Sequence, residues 1–180
     1  MKPETISTNQ VYKGRIFDVR VDTIREGEVE YTREVVAHNG SAVIVPLFAD
    51  GTVALVRQYR HPAGKSLLEV PAGSLEKGED PLTGAIRELE EEIGVTAGKM
   101  EKLAAFYISP GFLSEKMNLF LATDLTETTQ RLEDDEIIEI ERIPLPDALT
   151  MTRDGRIEDA KTIIGLMLCQ NRVTGFAKTG

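Results

Sequence analysis

The sequence predicts an α/β protein: an α/β/α sandwich on a mixed sheet, preceded by a small N-terminal antiparallel sheet. Three observations lead there. Short apolar runs of strand length are separated by glycine, proline and aspartate turns; one capped amphipathic helix interrupts them; and the chain closes on helical periodicity.

Residues 11–37 read as strands around a turn at Glu26-Gly27, with Phe17, Val19 and Val21, then Val29 and Tyr31, in strand alternation. Ser41 to Phe48 and Thr52 to Tyr59 read as a hairpin around Asp50-Gly51, its first strand apolar enough to be buried on both faces. Leu67 to Val70 is a short strand running into Pro71-Ala72-Gly73. A helix is expected from about Pro81 to Glu92 or Ile93: Asp80 suits the N-cap, Pro81 the first helical position, and Gly94 a left-handed C-terminal cap. At ~100° per residue, Leu82, Ala85, Ile86, Leu89 and Ile93 fall on one uncharged stripe suited to packing on a sheet. Strands follow near Lys102 to Ile108, Met117 to Thr123 and Ile138 to Ile143. Pro146 to Arg153 reads as a short helix, and Asp159 to Arg172 as a longer one with Ile163, Ile164, Met167 and Leu168 inward.

The segment from Gly73 to Val95 carries the chemistry. On its helix Glu88, Glu91 and Glu92 stand at i, i+3 and i+4, so their carboxylates are expected together on the outer side, away from the apolar stripe. They repel one another there, near a helix C-terminus whose dipole also disfavours anions. A sequence selected only for helix stability would avoid this arrangement. A divalent, oxygen-seeking ion such as Mg2+ or Mn2+ reverses the sign of the interaction and keeps water positions for phosphate.

Composition fits one catalytic domain, residues 38–180, with an N-terminal extension, residues 1–37, that has too little apolar content to fold alone. The longest apolar stretch, Ala42 to Ala49, is far short of a membrane span, and no basic then apolar leader begins the sequence, so a soluble cytoplasmic protein is expected. Cys169, the only cysteine, excludes an intrachain disulfide and reads as a core residue. The net charge of -9 is uneven. Residues 76–92 hold seven acids and two bases, and residues 124–141 eight acids and one base, which leaves the remainder positive. Acidity in two places suits bound cations, and the lack of a basic stripe argues against nucleic-acid partners and for small anionic substrates.

Gly73, Glu79, Arg87, Glu88, Leu89, Glu91, Glu92, Gly94 and Val95 together resemble the Nudix box, G-x5-E-x7-R-E-U-x-E-E-x-G-U, with no departure. The resemblance implies hydrolysis of a nucleoside diphosphate linked to another moiety. It also implies metal binding by Glu88, Glu91 and Glu92, and pairing of Arg87 with Glu79 to lock loop onto helix. Leu68-Glu69-Val70-Pro71-Ala72-Gly73, Arg57-Gln58-Tyr59-Arg60, Tyr31-Thr32-Arg33-Glu34 and the Ser109-Pro110-Gly111 loop are similar to their counterparts in the ADP-ribose pyrophosphatase branch. That branch implies ADP-ribose as substrate, AMP and ribose 5-phosphate as products, and Mg2+ as cofactor. It further implies the Ala72 carbonyl as a backbone ligand and Arg60 on the diphosphate. Arg33 and Glu34 would reach across a homodimer to adenine or ribose. A late acidic loop would supply one more carboxylate as ligand or base; alignment back from Pro144 favours Glu136, with Glu133, Asp134 and Asp135 one slip away. Another nucleoside diphosphate sugar such as GDP-mannose, or a dinucleoside polyphosphate, is the alternative substrate. A non-catalytic ADP-ribose sensor is the alternative class, weakened because every box glutamate is present.

Overall fold

The computed structural model describes residues 2–132 and 136–175. Its centre is a four-stranded mixed sheet in the order β7-β4-β9-β8, made of β4 (Ser41–Pro46), β7 (Ala72–Ser74), β8 (Val95–Tyr107) and β9 (Lys116–Glu127). β4 runs parallel to β9, Val43 opposite Leu119, while β7 and β8 pair antiparallel at the edges. A second, antiparallel sheet holds β5 (Thr52–Arg60) between β10 (Ile138–Pro144) and β6 (Lys65–Glu69). The N-terminal sheet is β1 (Glu4–Lys13), β2 (Asp18–Glu26) and β3 (Val29–Ala37), with the turn at Gly27, φ +63°.

Alternation along the central strands divides the core in two. Val43, Val45, Val53, Leu55, Leu119 and Leu121 pack on one face, with α2 (Leu145–Arg153) and α3 (Ala160–Val173) over them. Ala42, Ile44, Ala54, Val56, Phe120 and Ala122 pack on the other, against Leu75, Ala85, Leu89 and Ile93. Strands with both faces covered must be continuously apolar, as β4 is. The α/β/α sandwich follows.

Three expectations change. β4 and β5 flank the Asp50-Gly51 turn, where Asp50 Oδ1 accepts from Thr52 N at 3.0 Å, but beyond a bridge between Leu47 and Val53 they belong to different sheets. β4 is apolar on both faces and pairs with β9 and β7, while β5 pairs with β10 and β6. On α1 (Pro81–Glu88) Leu82 and Ile86 are exposed; the buried arc is rotated to Gly84, Ala85, Glu88, Leu89 and Glu92, so Glu88 and Glu92 point inward rather than outward. The small Gly84 and Ala85 let the helix sit close, Gly84 directly against Leu75. On α3 the fully buried positions include Thr162, Gly165, Leu166 and Cys169, where Gly165 permits contact with Val45 and Leu119; Ile163, Ile164 and Leu168 pack partly buried against the core as expected, and of the four expected inward only Met167 is exposed.

The N-terminal sheet is also larger than expected, since β1 begins at Glu4 and is exposed along its whole length. It joins the rest through β3: Val36 N donates to Phe112 O at 2.8 Å and Ser114 N to Val36 O at 2.9 Å. Among the described residues no helix is long and apolar enough to cross a membrane.

Leu119 is fully buried where the parallel strands meet α3. Leu119→Ala should lower unfolding stability by about 2–5 kcal/mol, measured by chemical denaturation, with the transition still cooperative.

Candidate active site

The site begins with the way α1 is held at both ends. Asp80 accepts from Leu82 N and Thr83 N at 3.0 and 3.2 Å, satisfying donors that open the helix. At the other end the helix widens into one π turn, Leu89–Ile93, and stops at Gly94, whose φ of +69° a side chain would resist. The π turn brings Glu91 and Glu92 round toward the loop that precedes the helix.

That loop is β7. A Cβ on Gly73 would lie 1.9 Å from Glu88 Oε1, so only glycine lets the backbone pass this carboxylate. Next to it, Ala72 N donates to Glu92 Oε2 at 3.0 Å. Arg87 ties loop and helix together. Its Nε and Nη2 donate to the Glu79 carboxylate at 3.2 and 3.3 Å, and its Nη1 donates to Glu88 and Glu91 at 2.7 and 2.9 Å. Glu79 also accepts from Glu76 N at 2.8 Å, which closes the loop on itself.

The electrostatics are those of an anion cluster with too little positive charge. Burial pushes the Glu92 carboxyl up to about 8, helped by the charges of Glu88 and Glu136 and opposed by the Ala72 amide. Burial also raises Glu88, against the pull of Arg87. Arg87 itself is raised: burial works against its charge, and the bonds to Glu79, Glu88 and Glu91 more than offset this. Glu79 is held below the ordinary carboxylate range, first by Arg87.

Glu88, Glu91 and Glu136 line one cavity of about 710 Å3, together with Ala72, Gly73, Arg60 and Arg87. The long-range acid at Glu136 is thus brought to the helix acids. Glu133, Asp134 and Asp135 lie outside the described residues. Neither Arg33 nor Glu34 lines the cavity of its own chain; Arg33 stacks on the Tyr31 ring at 4.3 Å on the exposed face of β3. Ser109, Pro110 and Gly111 do not line it either. They form a turn in which Leu113 N donates to Ser109 O at 2.9 Å, and the strand beyond it delivers Glu115 and Met117 to the wall.

Several wall residues escaped the sequence reading. Glu115 accepts from Ser41 Oγ at 2.5 Å, and His38 Nδ1 accepts from Gly40 N at 3.0 Å. Behind the wall residues Arg60 and Lys161, Glu69, buried to 1% exposure, accepts from Arg60 Nε and Nη2, each at 2.8 Å, and from Lys161, which is itself 6% exposed. Burial pushes Glu69 up, but the two cations outweigh it and hold the carboxyl below its ordinary range. The one available signal was a charge at Glu69 inside an otherwise apolar strand end.

The donor set suits a hard divalent cation: several carboxylates, a backbone loop at their side, and a repulsion that only positive charge relieves. Among the described residues no three acids are already drawn into ligating geometry, because Arg87 holds Glu88 and Glu91 while Ala72 N holds Glu92.

Comparison with known proteins agrees with this geometry. The NUDIX domain model matches residues 38–164. The chain is 37% identical over 174 residues to the ADP-ribose pyrophosphatase of Bacillus subtilis, covering 94% of each chain. It is 39% identical to the methanol dehydrogenase activator of Bacillus methanolicus, covering 93% of this chain and 92% of that one. It is 38% identical to the GDP-mannose pyrophosphatase of Yersinia pestis, covering 86% and 81%. A solved structure described as an ADP compounds hydrolase superposes with a TM-score of 0.86 at 25% identity, over 99% of this chain and 98% of that one. The protein therefore belongs to the Nudix family, and its fold and box are those of a Nudix hydrolase.

Glu92 makes the metal-free protein pH-sensitive. Between about pH 4.5 and 8 the folded state holds a proton that the unfolded state has released, so stability falls as pH rises, by at most about 1.4 kcal/mol for each pH unit in that window. Denaturation in EDTA should show lower stability at pH 8 than at pH 5.5, and Glu92→Gln should flatten the slope. A wild-type slope that is flat or rising would remove the assignment.

Proposed function

We propose that the protein hydrolyses the pyrophosphate bond of ADP-ribose, giving AMP and ribose 5-phosphate, with Mg2+ or Mn2+ as cofactor. The observation that carries this reading is the convergence of Glu88, Glu91 and Glu136 on one cavity that Arg60 also lines, with Glu92 held beside it on the Ala72 amide. Glu88, Glu91, Glu92, the Ala72 carbonyl and Glu136 would hold the ions, which supply charge neutralisation and an acidified water.

The remaining work falls to the chain. Arg60 binds the diphosphate, where a planar cation matches phosphate oxygens. Arg87 and Glu79 keep the loop against α1, so that carboxylates and backbone face the substrate in fixed geometry. Glu136, on the late acidic loop, accepts the proton of the attacking water as the bridging P–O bond breaks. Positioning and charge stabilisation dominate such transfers, so small displacements of these groups are costly.

The exposed Ile6, Val11, Tyr12, Ile16, Phe17 and Val29 of the N-terminal extension support a homodimer, in which Arg33 and Glu34 serve the partner's substrate. Light scattering should give twice the chain mass at micromolar concentration; a monomer would sink the dimer and the cross-subunit role together.

A second reading has support in the GDP-mannose pyrophosphatase relative. It is separated from the first by product release from ADP-ribose, GDP-mannose, UDP-glucose, NADH and diadenosine polyphosphates, each with Mg2+ and with EDTA. AMP formation that is metal-dependent and fastest with ADP-ribose is the expected result. Preference for another sugar nucleotide would replace the substrate and keep the site, and tight ADP-ribose binding without turnover would favour a sensor. Glu92→Gln should lower turnover by about 100-fold or more with the fold intact.

A further inference from the structure

A buried ion network outside the box adjoins the cavity. Arg60 donates through Nε and Nη2 to both oxygens of Glu69, which leaves Nη1 outside that pair. Lys161, in the first turn of α3, donates to the same Glu69 carboxylate and lies 3.0 Å from Asp159 Oδ1. Asp159 is also the N-cap of α3, accepting from Thr162 N at 2.9 Å. Thr162 Oγ1 in turn accepts from Val70 N at 2.8 Å, one residue beyond Glu69. The first turn of α3 thus grips residues 69 and 70, and Pro71 O then bonds Ile44 N at 2.9 Å, just before Ala72.

Stability alone does not account for this arrangement. Apolar residues of similar volume would fill the site at no greater cost, since a buried ion pair roughly offsets its own desolvation. Position is more informative: Arg60 and Lys161 both line the cavity that holds Glu88, Glu91 and Glu136. Arg60 also feels the charge of Glu92. An arginine held by nothing else would be drawn toward those carboxylates, where it would compete with cations and leave the diphosphate. The two-point grip of Glu69 fixes the guanidinium plane, and Lys161 allows Glu69 to stay ionised when buried.

We propose that Glu69 and Lys161 are positioning residues for hydrolysis, holding the Arg60 guanidinium at the cavity wall in the orientation that receives the diphosphate. The inference rests on the reading of Arg60 as the diphosphate contact. It predicts that Lys161 and Glu69 matter to turnover only while Arg60 is present.

A double-mutant cycle on the full-length protein tests this, with ADP-ribose and saturating Mg2+. Lys161→Met should lower kcat/KM by about 100-fold in the wild-type background, the size expected of a misplaced binding group, and by less than about threefold in the Arg60→Ala background. Lys161→Arg should recover part of the loss, because it restores a buried cation. Equal losses in both backgrounds would show a general structural role and overturn the proposal, as would no loss in the wild-type background. Should Lys161→Met fail to fold by circular dichroism, Glu69→Gln takes its place in the cycle under the same two criteria. Wild-type protein that hydrolyses no member of the substrate panel would instead defeat the functional reading itself.

Discussion

The constraint on which the site depends is the burial of two carboxylates on the inner face of α1. Glu88 and Glu92 are almost fully covered, and each meets backbone: Glu88 packs against Gly73, and Glu92 accepts from Ala72 N. Placing two anions in a low-dielectric region is unfavourable without compensation. The surrounding features lessen that cost. Gly73 opens space, the π turn aims Glu92 at an amide, and Arg87 distributes one positive charge over Glu79, Glu88 and Glu91. The arrangement is under-neutralised, and that deficit is what gives a divalent ion a reason to bind.

Much of this was legible along the chain because it is local. The caps at Asp80 and Gly94, the glycine at 73, the acids at 88, 91 and 92, and their spacing lie within one segment, where helix geometry relates them. The apolar runs gave the strands for a similar reason, since residues buried on both faces leave a continuous signal. What local pattern could not give was orientation. A helical wheel ranks residues by hydropathy, so it turned Leu82 and Ile86 inward and the acids outward. Packing exposed Leu82 and Ile86 and buried Glu88 and Glu92, because the small Gly84 and Ala85 allow close approach, Glu92 finds a donor in Ala72 N on β7 and Glu88 one in Arg87.

Non-local pairing set the other boundary. β4 finds its parallel partner in β9 and not in the strand that follows it, and no turn residue announces that choice. The same applies to the cavity wall. Glu69 meets Lys161 across 92 positions, and Ser41 meets Glu115 across 74. A lone glutamate at a strand end and a lone lysine in a helix read as unrelated charges until the fold brings them together.

This division between local and assembled structure explains why the box identifies chemistry better than substrate. Diphosphate hydrolysis needs carboxylates in one tight constellation, and a single loop and helix can encode it. Recognition of the group attached to the diphosphate must come from the other walls, which here are built from the β1–β2 and β3–β4 connections, β5, β9 and α3 as separate contributions. Relatives that share the box can therefore differ in substrate by changing residues that never touch it, consistent with relatives at similar identity being an ADP-ribose pyrophosphatase and a GDP-mannose pyrophosphatase. Arg60 stands at the junction of the two regions. It lines the same cavity as Glu88, Glu91 and Glu136 but is gripped by Glu69, which α3 holds through Lys161, so its place on the wall depends on how α3 docks as well as on the box.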